Sequence, residues 1–314
     1  MTEKPPYRVQ SMAEIGAIEW NGLNSVDLFG GIGGTCIGFR MAGFRVLLAN
    51  EFAPSAQENY RANMRSGTVL DGRDVHDLTA ATILAKIKLK RGELDVLTGS
   101  PPCTVFSMSG TQKQSRGIGK DRQYAHGARQ KDEDLFFEFV RLRDGLMPKT
   151  FAAENVSGLV KGIAKGYFLD ILKELKRGYR VEARLLDAQW LGVPQRRQRL
   201  VFVGVRDDLG LDPVFPEPMS RRYSVIEALA SPPLGCIVEP ETDVGTHAIA
   251  AEYDRLNPGD QSDRYFNLFR APLSEPVQTL TASGGMNAGI ACAMHPTERR
   301  KFAVWELLRL VFIP

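Results

Sequence analysis

The chain has 314 residues, of which 43% are hydrophobic and 25% are charged, a balance typical of a folded water-soluble protein and unlike that of a disordered chain. Its formal net charge of +3 is only mildly basic, so it permits a polyanionic partner without indicating one. The length suffices for one large domain, or for one large and one smaller domain.

The cysteines and the apolar runs indicate the cellular compartment that the protein is expected to occupy. Cys36, Cys103, Cys236 and Cys292 form no CxxC pair, and their spacing matches neither a zinc site nor a dense disulfide framework. Reduced thiols are expected, which favours a cytoplasmic location. Residues 1–22 lack the continuous apolar core of a signal peptide and are expected to form a loose lead-in with a short helix near residues 11–18. No run reaches the roughly 18 apolar residues of a membrane helix, so no membrane contact is expected.

A strand, a glycine-rich turn and a helix form the first predicted unit. Residues 25–29, which include Asp27 and Phe29, are typical of a buried strand, and Gly30–Gly34 precede the helix. Glycines let a backbone approach a ligand, and a helix N-terminus offers unpaired N–H groups. The dinucleotide fingerprint would need glycine in place of Cys36, and the turn lacks the Lys-Ser/Thr pair of a P-loop. The unit is either a nucleotide-type cofactor site or a plain tight turn.

Acidic residues end or follow the next two predicted strands. Residues 44–51 form a strand that ends at Glu51, whose carboxylate can accept hydrogen bonds from two ribose hydroxyls. A helix cap or a surface carboxylate is the alternative for Glu51. A short strand then precedes Asp74, which can bond an exocyclic amine or cap its own loop. Helices are predicted over residues 54–64 and 79–88.

A cysteine stands on a stiff loop after the fourth predicted strand. The apolar run 94–98 is followed by Pro101-Pro102-Cys103, where two prolines stop regular structure. Open α/β sheets bind ligands at this end of their strands. The Cys103 thiol is therefore a candidate nucleophile if its pKa, ordinarily about 8.5, is lowered or its proton is removed. An inert loop thiol is the alternative. The polar residues 107–131 are either a mobile lid or a plain insertion.

The fifth predicted strand, residues 150–156, carries Glu154 near its end. An amphipathic helix that begins near Leu135 precedes this strand. Burial in an apolar strand raises the pKa of a glutamate, which would suit a proton donor. The alternative is a glutamate held by a neighbouring arginine. The sequence alone leaves both interpretations of Glu154 open.

A sixth strand is predicted over residues 179–187, and three polar side chains lead into the seventh and last, residues 200–205. Because alternate residues of a strand point to opposite faces, Gln195, Arg197 and Arg199 share one face. Aligned polar side chains at the entrance of an apolar strand suit the binding of a polar or anionic group.

The predicted elements indicate the fold class and the domains. Seven strands alternating with helices predict an α/β domain with a doubly wound, mostly parallel sheet over residues 1–206. Repeated prolines and poor periodicity predict a second, smaller irregular domain over residues 207–290. Its arginine, asparagine and glutamine side chains suit phosphates and base edges, but they are equally typical of a solvated loop. Residues 291–314 form a final segment.

The order of these motifs resembles that of the C5-cytosine DNA methyltransferases, which depend on S-adenosyl-L-methionine. The residues that carry the resemblance are, in chain order, Asp27-Leu-Phe-Gly-Gly-Ile-Gly-Gly34, Glu51, Asp74, Pro101-Pro102-Cys103, Glu154-Asn155-Val156 and Gln195-x-Arg197-x-Arg199. Pro-Pro-Cys followed by Glu-Asn-Val is the most specific part. The resemblance implies a Rossmann-like methyltransferase fold for residues 1–206 and target recognition by residues 207–290. It also implies that residues 291–314 begin the return to the catalytic domain.

This resemblance implies catalysis on a cytosine flipped out of double-stranded DNA. Cys103 would add to C6 of the base, Glu154 would bond or protonate N3, and Arg199 would hold the O2 edge. Gln195 and Arg197 would support them. C5 would then accept the methyl group, and a base would remove the C5 proton. The implied enzyme is a DNA (cytosine-5-)-methyltransferase of restriction–modification type, with a cognate restriction endonuclease as a further partner.

The resemblance also implies which residues bind S-adenosyl-L-methionine. Phe29 would pack on the adenine, Glu51 would bond the ribose, and Asp74 and Val75 would frame the adenine edge. The full implied set, in which glycines act through their backbone, is Asp27, Phe29, Gly31, Gly33, Glu51, Phe52, Asp74, Val75, Pro101 and Leu135. No metal is expected.

One departure from the family pattern leaves alternatives open. The family's last motif, a Gly-Asn pair followed by a helix, does not occur before the sequence stops at Pro314. We therefore expect a chain that lacks the C-terminal-most motif, or one that a second chain completes. Two alternatives to an active DNA methyltransferase follow. One is an inactive or incomplete homologue that binds DNA without methylating it, and the other is an RNA cytosine-C5 methyltransferase on the same fold.

Overall fold

Two compact units make up the chain. The larger unit contains residues 13–186 and 199–215, and the smaller unit contains residues 1–12, 187–198 and 216–314. The computed structural model describes residues 4–63, 67–102, 121–123, 129–131, 135–160, 164–245, 248–265, 268–280 and 293–314.

The larger unit alternates strands with helices, as the sequence predicts. In chain order its strands are β1 (Asn24–Leu28), β2 (Arg45–Asn50), β3 (Val69–Asp71), β4 (Val96–Gly99), β5 (Asp121–Gln123), β6 (Arg129–Lys131), β7 (Thr150–Val156), β8 (Tyr179–Asp187) and β9 (Gln198–Arg206). Its helices are α1 (Met12–Gly16), α2 (Gly34–Met41), α3 (Pro54–Asn63), α4 (Ala80–Ile87), α5 (Leu135–Leu146) and α6 (Ala164–Leu175). Every helix in the described ranges is too short or too polar to cross a membrane.

Seven of these strands form one sheet in the order β3-β2-β1-β4-β7-β9-β8. The pairs β1–β2, β1–β4, β2–β3 and β4–β7 are parallel, whereas β7 and β9 are antiparallel. The predicted doubly wound, mostly parallel sheet is confirmed. β5 and β6 form a separate antiparallel ribbon within the predicted lid, whose remaining residues lie outside the described ranges.

The buried carboxyl residue Asp95 joins the first residues of the central strands. Asp95, just before β4, accepts a hydrogen bond from the Asn24 amide at 2.8 Å and forms an ion pair with Lys149 at 2.7 Å. Its own carbonyl accepts from the Thr150 amide at 2.9 Å. β1, β4 and β7 therefore start in register, and their carboxyl ends finish at one edge of the sheet.

Arg143, in α5, is completely buried. The guanidinium of Arg143 donates to the carbonyl of Leu175 at 2.5 Å and to that of Glu174 at 3.0 Å. These are carbonyls at the C-terminal end of α6, which have no partner within their own helix. The ring of Tyr179 lies 4.8 Å from the guanidinium carbon. Arg143 thus joins α5, α6 and β8.

Arg143→Ala is expected to lower the free energy of unfolding by about 3 to 5 kcal/mol, because it leaves a cavity and removes the guanidinium hydrogen bonds to the carbonyls of Glu174 and Leu175. Urea unfolding followed by circular dichroism measures the loss. The matched control is Arg177→Ala, which removes an arginine whose side chain is 66% exposed and pairs with Glu174. The control should cost less than about 0.5 kcal/mol. Equal losses in the two variants would contradict the role of Arg143.

The smaller unit contains α7 (Val225–Leu229), α8 (Ala248–Arg255), α9 (Val304–Leu310), β10 (Phe269–Arg270) and β11 (Ala293–Met294). Its core includes residues from the start of the chain. The Tyr7 ring lies 5.1 Å from the Tyr223 ring, and Lys4 pairs with Glu227 at 2.6 Å. The expectation of a loose lead-in is therefore wrong for these residues, because an aromatic contact and an ion pair hold them.

A buried ionic cluster holds α9 within the smaller unit. Both carboxylate oxygens of Glu306 accept from Arg300 at 2.7 Å, and one also accepts from the Ala303 amide. His295 lies 3.5 Å from the other oxygen. Burial raises the pKa of Glu306, but the hydrogen bonds from Arg300, His295 and Ala303 outweigh it and lower the pKa from 4.5 to about 2.

This cluster predicts an acid-dependent stability. Because the pKa of Glu306 is lower in the folded state, its contribution is fully present above pH 4.5 and is lost as the pH falls towards 2. The contribution amounts to about 3 kcal/mol by linkage. Glu306→Gln should be less stable at pH 7 and should lose less stability than the wild type between pH 5 and 2. Urea unfolding at a series of pH values measures both, and parallel pH curves would contradict the prediction.

Candidate functional site

The carboxyl ends of three parallel strands meet beside the glycine turn. Leu28, the last residue of β1, is opposite Asn50 of β2 and Gly99 of β4. The next residues of each strand therefore come together at this edge. Ser100 connects two of them, because its hydroxyl donates to the carbonyl of Phe29 at 3.2 Å. This is the edge at which open α/β sheets bind ligands.

The backbone of the turn explains its glycines. Gly31 and Gly33 have φ of 55° and 97°, and Phe29 has φ of 59°, a conformation that is uncommon for a residue with a side chain. Gly33 is the N-cap of α2 and provides no side-chain cap for the first N–H groups of the helix. A Cβ added at Gly31 would meet no atom within 4 Å, so this face of the turn is open. The turn can hold a ligand against its backbone.

Glu51 holds the turn from the end of β2. Its Oε2 accepts a hydrogen bond from the Gly31 amide at 2.8 Å, and its Oε1 accepts from the Ala53 amide at 2.6 Å. A carboxylate oxygen has a second lone pair, so both oxygens can also accept from hydroxyl groups. The position supports the predicted contact with a ribose, which stays a prediction. Phe52, the next residue, is half-buried, and its carbonyl accepts from Gln57 at 3.2 Å.

Asp74 caps its own loop. Its carboxylate accepts from the His76 amide at 3.1 Å and lies 2.6 Å from His76 Nδ1, at the start of the short 3₁₀ helix Val75–Asp77. The loop-capping alternative is therefore observed, and the predicted contact with an exocyclic amine stays a prediction. Val75 is only 1% exposed and belongs to the core of the larger unit.

Three further residues of the implied cofactor set differ in burial. Phe29 is half-buried and packs against the core, whereas Leu135 is completely buried at the first position of α5. Pro101 is buried, and its carbonyl accepts from the side-chain amide of Asn155 at 3.3 Å. Their contact with a cofactor stays a prediction.

Asp27 lies inside the sheet, under the turn. It is 1% exposed, its Oδ1 accepts from the Thr98 hydroxyl at 2.6 Å, and the Cys36 thiol donates to Oδ2 at 3.4 Å. Burial raises its pKa from 3.8 to about 6, against the two hydrogen bonds that lower it. No sequence pattern singles out Thr98 or gives Cys36 a role. The one relevant signal is that a cysteine stands where the dinucleotide fingerprint would have glycine.

The charge around the turn indicates what kind of ligand fits. Residues 29–34 contain no lysine or arginine, Asp27 lies within β1, and Glu51 and Asp74 follow β2 and β3. A P-loop adds a lysine to the backbone N–H groups that bind phosphate, whereas at this turn the Gly31 amide already donates to the carboxylate of Glu51. A ligand that carries positive charge and a ribose but no phosphate therefore fits this edge. S-adenosylmethionine has a sulfonium, an ammonium and a nucleoside, and its chemistry agrees with the residues present.

The predicted nucleophile, Cys103, lies outside the described residues, which stop at Pro102 before this loop. The backbone that leads to it is tightly packed. A Cβ added at Gly99 would lie 2.7 Å from the ring of Phe139 and 3.3 Å from the carbonyl of Leu28. Glycine is required there because α5 packs directly against the end of β4.

Glu154 is paired with an arginine across two strands. The Glu154 Oε1 and Arg199 Nε atoms are 2.5 Å apart, and the side chains are 38% and 24% exposed. The pair forms because β9 runs antiparallel to β7, which places Val156 opposite Arg199 and Glu154 opposite Val201. Of the two alternatives for Glu154, the structure shows the glutamate held by an arginine. The pair is partly open to solvent and can meet a ligand.

Gln195 and Arg197 belong to the smaller unit. Along residues 195–199 burial alternates, with Gln195 buried, Arg197 and Arg199 half-buried, and the residues between them exposed. This alternation follows the two-residue period of a strand, and the shared face of the three side chains stays a prediction. Gln195 is opposite Val277 in a parallel bridge. Neither amide atom of Gln195 has a hydrogen-bond partner among the described residues.

Comparisons with known proteins find both related sequences and related folds. The model of the C-5 cytosine-specific DNA methylase family matches residues 23–267. The Type II methyltransferase M1.HphI of Haemophilus parahaemolyticus is 34% identical over 241 residues, which cover 76% of this chain and 59% of that protein. M.Eco47II of Escherichia coli is 30% identical over 319 residues, covering 92% of this chain and 70% of that protein.

The chain spans about half the length of several curated relatives, with 59%, 52% and 44% of M1.HphI, M.FnuDI and M.DdeI covered. Solved structures agree on the fold. A protein described as a DNA modification methyltransferase encoded within an Escherichia coli prophage superposes with a TM-score of 0.69 and 22% identity, covering 92% of this chain and 88% of that one. DNMT2 of Spodoptera frugiperda superposes with a TM-score of 0.53 and 20% identity, covering 74% and 65%.

Proposed function

The chain belongs to the C-5 cytosine-specific DNA methylase family, and we propose that it transfers a methyl group from S-adenosyl-L-methionine to C5 of cytosine in double-stranded DNA. The observation that carries the proposal is the Glu154–Arg199 pair at the edge of the sheet, next to the strand that leads to Cys103. A carboxyl group and a guanidinium held together match the N3 and O2 edge of a cytosine.

The cofactor would lie against the glycine turn. The backbone of Gly31 and Gly33 would hold its methionine part, Glu51 the ribose, and Phe29 and Asp74 the adenine. Phe52, Val75, Pro101 and Leu135 would complete the pocket. When bound, S-adenosylmethionine supplies an electrophilic methyl group. The acidic surroundings of the turn support the binding of this cationic molecule rather than of a nucleotide.

The side chains of this chain would prepare the base for methylation. The thiolate of Cys103 would form a bond to C6, which moves electron density to C5 and makes it nucleophilic. Glu154 would donate a hydrogen bond or a proton to N3, which removes negative charge that develops in the ring. Arg199 would hold both Glu154 and the O2 of the base. Loss of the C5 proton to a base, followed by breakage of the bond to Cys103, would release the product.

The DNA itself must be reshaped for this reaction. C6 of a stacked cytosine is out of reach of a protein thiol, so the base would be flipped out of the duplex. Gln195 and Arg197 would support the flipped nucleotide, and residues 207–290 would read the sequence around it. The similarity to Type II methyltransferases supports a role in restriction–modification, with a cognate endonuclease that cuts the unmethylated site.

Labelled methyl transfer tests the proposal. The chain is incubated with methyl-labelled S-adenosylmethionine and unmethylated mixed-sequence duplex DNA, with tRNA in a parallel reaction. We expect label in the DNA, recovered as 5-methylcytosine after digestion to nucleosides. Label in tRNA alone would replace DNA by RNA as the substrate. No label in either nucleic acid would contradict a transferase activity of this chain.

A further inference from the structure

A hydrogen-bonded series of buried polar groups lies beneath the glycine turn. Asp27 accepts hydrogen bonds from Thr98 at 2.6 Å and from Cys36 at 3.4 Å, and the Tyr60 hydroxyl donates to the Cys36 sulfur at 3.3 Å. All four side chains are at most 3% exposed. They come from β1, β4, α2 and α3, so these hydrogen bonds link four elements of the larger unit below the turn.

Asp27 is close to the turn but closed off from solvent. A Cβ added at Gly30 would lie 3.3 Å from its Oδ2, so the carboxylate is directly against the backbone of the turn. Each oxygen of Asp27 already accepts a hydrogen bond from within the protein. A ligand on the open face of the turn would therefore interact electrostatically with the charge of Asp27, with the backbone of the turn between them and no direct contact.

Resting on the proposed function, we propose that Asp27 is a positioning residue whose negative charge favours the sulfonium-bearing cofactor over its uncharged product, and that Thr98 and Cys36 set this charge. S-adenosylmethionine has a sulfonium, whereas S-adenosylhomocysteine has a neutral thioether at the same place. A buried carboxylate beneath the turn discriminates between these two molecules even though it does not touch either.

The charge of Asp27 depends on a balance of its neighbours. Burial raises its pKa to about 6, the hydrogen bonds from Thr98 and Cys36 lower it, and the negative charge of Glu51 beyond β2 raises it. Burial raises the pKa of the Cys36 thiol and of the Tyr60 hydroxyl, so both stay neutral. Arg40 of α2 is the positive charge that acts on those two groups. Asp27 therefore changes charge just below neutral pH.

Binding of the two ligands over a pH range tests the inference. The dissociation constants of S-adenosylmethionine and S-adenosylhomocysteine are measured by calorimetry at pH 5 to 7 on the full chain. Both ligands would contact the same turn and Glu51 under the proposed function, so the ratio of their dissociation constants isolates the effect of the sulfonium. In the wild type, preference for S-adenosylmethionine should fall by about tenfold as the pH drops from 7 to 5. In Asp27→Asn the ratio should not change with pH.

Two conservative variants keep the test decisive if Asp27→Asn does not fold. Thr98→Val removes a hydrogen-bond donor to Asp27, so the midpoint of the pH-dependent change in the binding ratio should move to higher pH. Cys36→Ser replaces a weak donor with a stronger one, so the midpoint should move to lower pH. A pH-independent ratio in the folded wild type, or midpoints that do not move, would overturn the role of Asp27. If the chain binds neither ligand at any pH, the proposed function itself fails.

Discussion

Cys103→Ser is expected to reduce methyl transfer by at least about 10³-fold while leaving the affinity for S-adenosylmethionine within about twofold. A serine hydroxyl has nearly the same size as a thiol but is far less acidic, so it supplies almost no anion to attack C6. The residues expected to bind the cofactor, such as Glu51 and Gly31, are untouched by this change. Activity and binding should therefore separate in this variant.

A covalent trap makes the test of Cys103 sharper. In duplex DNA with 5-fluorocytosine the C5 substituent cannot leave as a proton, so the bond between enzyme and base should persist. The wild type should give an adduct that survives denaturation, and Cys103→Ser should give none. Cys236→Ser is the matched control, because Cys236 is a partly exposed free thiol in the smaller unit. Full activity of Cys103→Ser would show that the covalent mechanism is wrong.

Local sequence patterns predicted the elements that position the cofactor edge. The strand before Gly30 and the helix after Gly34 follow from a short apolar run, five residues of turn and a helical period, all within one stretch of chain. The left-handed backbone at Gly31 and Gly33 is a property of glycine itself. Such features need no information about distant residues, so the sequence suffices for them.

Features that depend on distant residues were predicted incompletely. The pairing of Glu154 with Arg199 requires β9 to insert antiparallel beside β7, which no local pattern specifies. For that reason the sequence left two interpretations of Glu154 open. The hydrogen bonds of Asp27 likewise involve residues on two other elements, β4 and α2, and Thr98 looks like any strand residue. Long-range register decides these contacts.

The start of the chain illustrates the same limit. Residues 4–10 have no strong periodicity, and a loose segment was the natural expectation. Yet Tyr7 is buried, and its ring meets those of Tyr223 and Phe312. These partners are more than two hundred residues away in sequence. The assignment of residues 207–290 to target recognition stays a prediction, because the two units are assembled from segments that are not consecutive in the chain.

Glu154→Gln is expected to lower kcat by about 10²- to 10⁴-fold, the usual range for loss of a positioned acid. Glutamine keeps the shape of the side chain and can still donate a hydrogen bond, but it cannot give up a proton at N3. Arg199→Lys should lower kcat by a similar factor, because an ammonium cannot hold the carboxylate and the O2 of a base with one planar group. Neither change should weaken cofactor binding by more than about twofold.

The two residues should also behave as one unit. Because Arg199 orients Glu154 at 2.5 Å, the double variant should lose little more activity than the worse single variant. Arg196→Lys is the matched control, since Arg196 is exposed and pairs with Glu275 at 3.4 Å. Single-turnover methyl transfer measures all four variants. Multiplicative losses in the double variant would mean that Glu154 and Arg199 act independently, and the ion pair would then have no part in holding the base.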